Sequence, residues 1–322
     1  MNKNNNYLDI LDPKMQIELF GYEYYFQMFV EMYNKKKLPN TILLTGDKGM
    51  GKATFLYHFI NYILSKEEKN KYLLPKFTIN QENTSYKNIC SNTHPNVYLL
   101  ENDYKTEATR IDDIRKAIKF LNKTTFNLNL KIVLIDNVEN LNLNSTNALL
   151  KSLEEPDQNT YFFIINNNTN KLIETIRSRC VEFKIFFSPL EKAAILKNLL
   201  FQYKNDNVLN NYPINNFDTP GNYLRILNII EDKNINTFNN KLLSIQFFIE
   251  KFKLQKDPFI LNVISRFVEL FYNELILNGK KNLSYYYNNK SIILEKINET
   301  KKFNLDKNNL FTYLLGKIEN ET

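Results

Sequence analysis

Three of the chain's seven glycines, Gly46, Gly49 and Gly51, crowd into the six positions of GDKGMG. The run before them, TILLTG (41–46), is short and apolar, and the run after them, KATFLYHFINYIL (52–64), has helical apolar spacing. Strand, glycine loop and helix in that order predict a phosphate-binding loop. In such a loop, backbone N–H groups and the positive end of the helix receive phosphate oxygens. Lys52 is placed to neutralise the terminal phosphates. Where a magnesium-binding hydroxyl belongs, the chain has Ala53. Thr54 comes one position late, about 100° further round the helix, and does not replace it.

The rest of the first half supports an α/β reading. RIDDIRKAIKFLNK (110–123) puts Ile111, Ile114, Ile118 and Leu121 on one helical face. KIVLID (131–136) and YFFIIN (161–166) read as buried strands, VEFKIFF (181–187) as a further strand, and residues 16–36 and KLIETIRSRC (171–180) as helical. NSTNALLKSLEEP reads as a helix capped by Asn144 or Ser145 and ended by Pro156. Alternating strands and helices predict a parallel sheet covered by helices, with its site at the strand C-terminal ends.

Asp136, at the end of its strand, fits the position that holds magnesium in nucleotide enzymes. The next residue, a water-polarising glutamate in hydrolysing proteins, is Asn137, which cannot take a proton from water. Glu139 is acidic but lies two residues on.

Bulk properties narrow the function classes. At 322 residues, two or three domains are expected. No apolar run reaches the roughly 18–20 residues of a bilayer span, and the opening MNKNNNYLDILDPK lacks signal-peptide order, so a cytoplasmic location is expected. Cys90 and Cys180 are the only cysteines, too few for a disulfide framework or a four-thiolate zinc site. The net charge of +7 permits nucleic-acid contact without demanding it. Only six of the 42 basic residues are arginines, and Arg177 and Arg179 lie two apart.

NALLKSLEEP, the strand after it, and NKLIETIRSRC together resemble the clamp-loader branch of the AAA+ proteins. Within that branch the chain is most similar to the delta-prime subunits of bacterial DNA polymerase III. The similarity covers about residues 15–230, and Ser178-Arg179-Cys180 is its most specific element. It implies an AAA+ P-loop domain over 1–187, a small helical lid over 188–236 and an all-α collar over 237–322. It also implies that Arg179 acts in trans as an arginine finger on a neighbouring subunit's terminal phosphate, where its planar fork suits phosphate oxygens. The bland reading pairs that arginine with a carboxylate such as Glu174 or Glu182, and Arg177 is the one expected to be structural.

The departures from hydrolysing members point one way. Ala53 and Asn137 replace the expected hydroxyl and glutamate, and in DTPGNYL (218–224) Gly221 or Asn222 stands where active motors carry a phosphate-sensing arginine, with Arg225 about one turn on. The nucleotide site of Gly46, Gly49, Gly51, Lys52 and Asp136 is therefore expected to be degenerate, and the resemblance makes Asn167, at the end of the third strand, the candidate polar sensor. No cofactor is required, ADP or ATP held silently being compatible. No zinc is expected, since ICSNTHPNVYLLE (89–101) keeps only Cys90 and His94, an i, i+4 pair. His58 reads as a packed or partly exposed side chain. The implied partners are the gamma/tau and delta subunits, with the sliding clamp and primed DNA reached through the assembly. The competing readings are a hydrolysing motor of gamma/tau or replication factor C small-subunit type, and a stand-alone P-loop enzyme such as a kinase.

Overall fold

The computed structural model describes residues 12–100, 111–123, 130–202, 219–230, 240–278, 282–319 and 321. Five parallel strands run in the order β2-β3-β4-β1-β5, formed by β1 (Thr41–Thr45), β2 (Val97–Leu100), β3 (Lys131–Ile135), β4 (Thr160–Asn166) and β5 (Val181–Lys184). A parallel pair needs a crossover, and the crossovers cover both faces of the sheet, so its central strands must be apolar on both sides. They are: Ile42, Leu43 and Leu44 are fully buried, as are Ile132, Val133, Phe162, Phe163 and Ile164.

Side chains alternate between the two faces with the period of two that a strand imposes. Ile42, Leu44, Ile132, Leu134 and Phe163 face a core built with α1 (Glu23–Asn34) and α2 (Lys52–Leu64), which supply Phe26, Phe29, Phe55 and Phe59. Leu43, Val133, Ile135, Phe162 and Ile164 face the other core, where Ile114 and Leu121 of α4 (Ile111–Leu121) meet Leu149 and Leu153 of α5 (Leu143–Glu154). Between α2 and β2 lies α3 (Thr84–Cys90), capped by Asn83.

Several boundaries differ from the sequence expectation. Residues 16–20 are not helical, because Ile79 N donates to Ile17 O at 2.8 Å and Leu19 N to Phe77 O at 3.1 Å; the helix starts only at Glu23. The cap of α5 is Asn142, whose Oδ1 accepts from Ser145 N at 2.8 Å, rather than Asn144 or Ser145. KLIETIRSRC contributes one helical turn, α6 (Glu174–Arg177), since Ile173 is extended and Ser178–Cys180 must turn the chain into β5. β5 itself stops at Lys184, where β1 gives way to the glycine loop and offers no further ladder. VYLL, at 97–100, is a strand that its sequence pattern does not announce, and it forms the sheet edge beside β3.

After the sheet come α7 (Pro189–Gln202) and α8 (Pro220–Ile230). α7 opens with a capping box: Ser188 N donates to Glu191 Oε2 at 2.7 Å, and Glu191 N to Ser188 Oγ at 3.3 Å. The described residues up to Gln202 and from Thr219 to Asn228 gather into one compact unit. A second unit contains the helices α9 (Lys241–Gln255), α10 (Pro258–Asn278), α11 (Leu283–Lys302) and α12 (Lys307–Glu319). Its core is aromatic and aliphatic: Phe248 lies 5.2 Å from Phe267 and Phe252 5.4 Å from Phe311, with Ile297, Leu314 and Ile318 buried beside them. The fold is thus α/β in its first unit and all-α in its second.

His58 is fully buried in α2, as expected of a packed side chain. Its Nε2 lies 3.1 Å from the Gln16 carbonyl and must carry the proton, so Nδ1 accepts from the Tyr72 hydroxyl at 3.0 Å. Burial pushes the ring down to about 3, opposed by the hydrogen bond to Gln16. The unfolded imidazole takes a proton near pH 6.5 while the folded one does not, so stability falls as pH drops from about 6.5 toward 3. From this group we expect a loss on the order of 3 kcal/mol between pH 7 and pH 4. Urea-unfolding midpoints at pH 7, 5 and 4 measure it, and His58→Gln should flatten the dependence.

Candidate functional site

Because all five strands point the same way, their C-terminal ends deliver Gly46, Asp136 and Asn167 to one edge of the sheet. Gly49 and Gly51 adopt φ values of +86° and +84°, a left-handed backbone that disfavours any side chain, and Gly51 starts α2 from that conformation. Lys52, 2% exposed, donates from Nζ to the carbonyls of Gly46 at 2.6 Å and Asp47 at 2.8 Å. Burial lowers it to about 8, against the pull of Asp136, Glu139 and Asp47.

The polar groups beside Lys52 are bonded to one another. The amide of Asn167 donates from Nδ2 to Asp136 Oδ1 at 3.1 Å and to Asn137 Oδ1 at 3.0 Å. Asn137 N donates to the same Asp136 oxygen at 2.8 Å. Burial raises the Asp136 carboxyl, while the Asn167 and Asn137 hydrogen bonds and the Lys52 charge oppose the shift. Asn137 sits at φ +54°, a conformation asparagine tolerates better than glutamate. Glu139, whose direction the sequence left open, accepts at Oε1 from Asn167 N at 3.1 Å and from Thr169 Oγ1 at 2.7 Å. Through that oxygen it ties down the loop after β4, while its buried Oε2 has no hydrogen-bond partner among the described residues.

The start of α8 lies directly on the glycine loop. Thr219 Oγ1 donates to Lys48 O at 2.8 Å, and Gly221 N donates to Gly49 O at 2.8 Å. A Cβ on Gly49 would meet Thr219 Oγ1 at 2.3 Å and Asn222 N at 2.9 Å; one on Gly221 would meet Gly49 O at 2.8 Å. Two glycines are therefore required for one backbone to rest on the other. At position 53 the loop offers magnesium no hydroxyl ligand. Ala53 offers a methyl group packed on the aromatic core, and Asp136 is engaged by two N–H donors.

Arg179 is elsewhere. It precedes β5, its carbonyl accepts from Thr41 Oγ1 at 2.8 Å, and Thr41 begins β1. The phosphate loop begins five residues later at Gly46, about 16 Å further along the strand direction. The two features thus lie at opposite ends of the same sheet. The Arg179 guanidinium is paired neither with Glu174 nor with Glu182: Nε donates to Glu154 Oε1 at 2.6 Å, Nη2 bonds the same oxygen, and Nη1 donates to Thr175 O at 2.9 Å. It is Arg177 that reaches Glu174 at 3.3 Å and Glu182 at 3.6 Å, the structural role expected of it. The pairing with Glu154 could not be read from sequence, since 25 positions separate the partners.

Cys90 and His94 are not brought together on shared partners. Cys90 Sγ donates to Lys14 O at 3.6 Å, while His94 Nδ1 accepts from Asn96 N at 3.2 Å and Nε2 lies 3.3 Å from Ser85 Oγ. Arg225 lies on α8, near one turn beyond Asn222.

The sequence profile of the family described as DNA polymerase III, delta subunit matches residues 21–189, more than half of the chain. The chain belongs to that family. DNA polymerase III subunit delta′ of Buchnera aphidicola (subsp. Schizaphis graminum) is 32% identical over 188 residues, 58% of this chain and 54% of that protein. Subunit delta′ of Pseudomonas aeruginosa is 28% identical over 48% of this chain and 45% of the relative. DNA polymerase III subunit gamma of the same Buchnera is 28% identical over 79% and 72%. The chain spans about half the length of the delta′ relatives it matches. A solved structure of a gamma-subunit-related protein from Thermotoga maritima aligns over 92% of this chain and 99% of that one, with a TM-score of 0.48 and 17% identity, a general likeness only. The resemblance to DNA polymerase III delta-prime subunits read from NALLKSLEEP and the Ser-Arg-Cys motif is met. Among the described residues no helix is long and apolar enough to cross a membrane.

Proposed function

We propose that this chain is a delta-prime-type subunit of a DNA polymerase III clamp loader, a stator that lends Arg179 to a neighbouring motor subunit and hydrolyses no nucleotide itself. The observation that carries the proposal is the placement of Arg179 at the end of the sheet opposite its own phosphate loop. An arginine side chain cannot span that separation, so a phosphate it touches must belong to another molecule. Thr219 and Gly221 bond the carbonyls of Lys48 and Gly49 in its own loop, Ala53 supplies no metal ligand, and Asn137 supplies no base. The partners are gamma/tau and delta subunits, with the sliding clamp and primed DNA engaged through the assembly. No cofactor is required, and ADP or ATP held without turnover is compatible with this role.

A second reading, a hydrolysing motor, draws on the retained Lys52 and Asp136 and on the wide match to a gamma subunit. One comparison separates the two. Purified alone, the chain should show no ATP turnover above the background of its Lys52→Ala variant. Added to cognate motor and delta subunits, it should enter the assembly and raise hydrolysis. Multiple turnover by the isolated chain that Lys52→Ala abolishes would establish the motor reading.

A further inference from the structure

Glu154 is the last residue of α5, at the negative end of that helix, where a carboxylate is disfavoured unless a cation answers it. Arg179 is that cation. Two of its five N–H groups converge on Glu154 Oε1, and Nη1 is held by Thr175 O and, at 3.4 Å, by Ser178 Oγ. The guanidinium is therefore set in one orientation with most of its donors engaged. Both side chains are only partly covered, 29% and 47% exposed, so the pair is open to exchange. An incoming phosphate has the sign of the Glu154 carboxylate, and like charges do not share one guanidinium without cost.

We propose that Glu154 is the resting counter-ion of Arg179: it holds the guanidinium until the terminal phosphate of a nucleotide in the adjacent subunit displaces it. This rests on the reading of Arg179 as a group acting in trans. Glu154 touches neither nucleotide nor reacting atoms. It acts through Arg179, and its charge sets how much nucleotide is needed to engage the neighbour.

The test uses the reconstituted assembly, with the other motor sites disabled at their phosphate-loop lysine, and separates half-saturating ATP from maximal rate. Glu154→Gln keeps the shape of the side chain and removes its charge. It should lower half-saturating ATP by about two- to five-fold without lowering the maximal rate, the range expected when a partly exposed ion pair no longer competes. The difference should shrink at high salt, which screens the pair already in the parent protein, and should vanish in an Arg179→Ala background. Glu154→Ala must shift half-saturation in the same direction, which excludes an effect peculiar to the amide. An unchanged half-saturation, or a lower maximal rate with Glu154→Gln, would overturn the counter-ion role while Arg179→Ala still slowed the assembly. If Arg179→Ala itself left the rate unchanged, the trans reading would fall first, and this inference with it.

Discussion

If Arg179 acts in trans as proposed, replacing it with alanine is expected to slow ATP hydrolysis at one neighbouring site by on the order of 10³-fold, at the lower end of what arginine fingers contribute. The measurement needs an assembly in which the other motor sites carry a disabled phosphate-loop lysine, since their turnover would otherwise mask the loss. Size-exclusion profiles should be unchanged: the Arg179 side chain is partly exposed and, among the described residues, bonds Glu154, Thr175 and Ser178 of its own chain. Arg179→Lys should rescue poorly, because a point charge does not reproduce the planar fork that grips two phosphate oxygens. A rate equal to that of the parent assembly would remove the trans assignment. A lost peak on the column would instead mark Arg179 as an assembly contact.

The second large effect concerns the core that supports the loop. Phe59 of α2 is fully buried and packs edge-on against Phe29 at 5.2 Å, Phe163 at 5.8 Å and Phe26 at 6.0 Å. It joins the helix that begins at the glycine loop to the sheet that ends there. Phe59→Ala removes a ring from a site walled by other rigid rings, which cannot collapse to fill the gap, and should cost about 3–5 kcal/mol. Denaturant unfolding of the full chain measures the effect as a lower midpoint for the sheet-containing unit. A change under about 1 kcal/mol would mean that the neighbouring aromatics repack, contrary to the close-packed interior described above.

Local chemistry made much of this protein legible in one dimension. Gly49 and Gly51 announce a left-handed loop because other side chains resist that backbone, and TILLT and YFFIIN announce buried strands because both faces must be apolar. Boundaries were read less well wherever a distant segment competed for backbone hydrogen bonds. Residues 16–20 have helical-looking composition, yet 77–79 claim their N–H and C=O groups. The short helix at Glu174–Arg177 stops where the chain has to meet β5.

The sequence by itself determined the identity of the site groups: a phosphate loop with Ala53 in the hydroxyl's place, Asn137 after the strand aspartate, and one arginine in a Ser-Arg-Cys setting. These are statements about which atoms are present, and no fold can alter them. The tertiary structure alone decided what each atom faces. The parallel order of the strands put Arg179 and Gly46 at opposite ends of one sheet, set Thr219 and Gly221 on the loop, turned Glu139 toward Asn167, and gave Arg179 to Glu154. Those contacts join residues 25 to 172 positions apart, and only the closing of the chain on itself, driven by burial of the two cores, brings such residues within the few ångströms over which hydrogen bonds and ion pairs act.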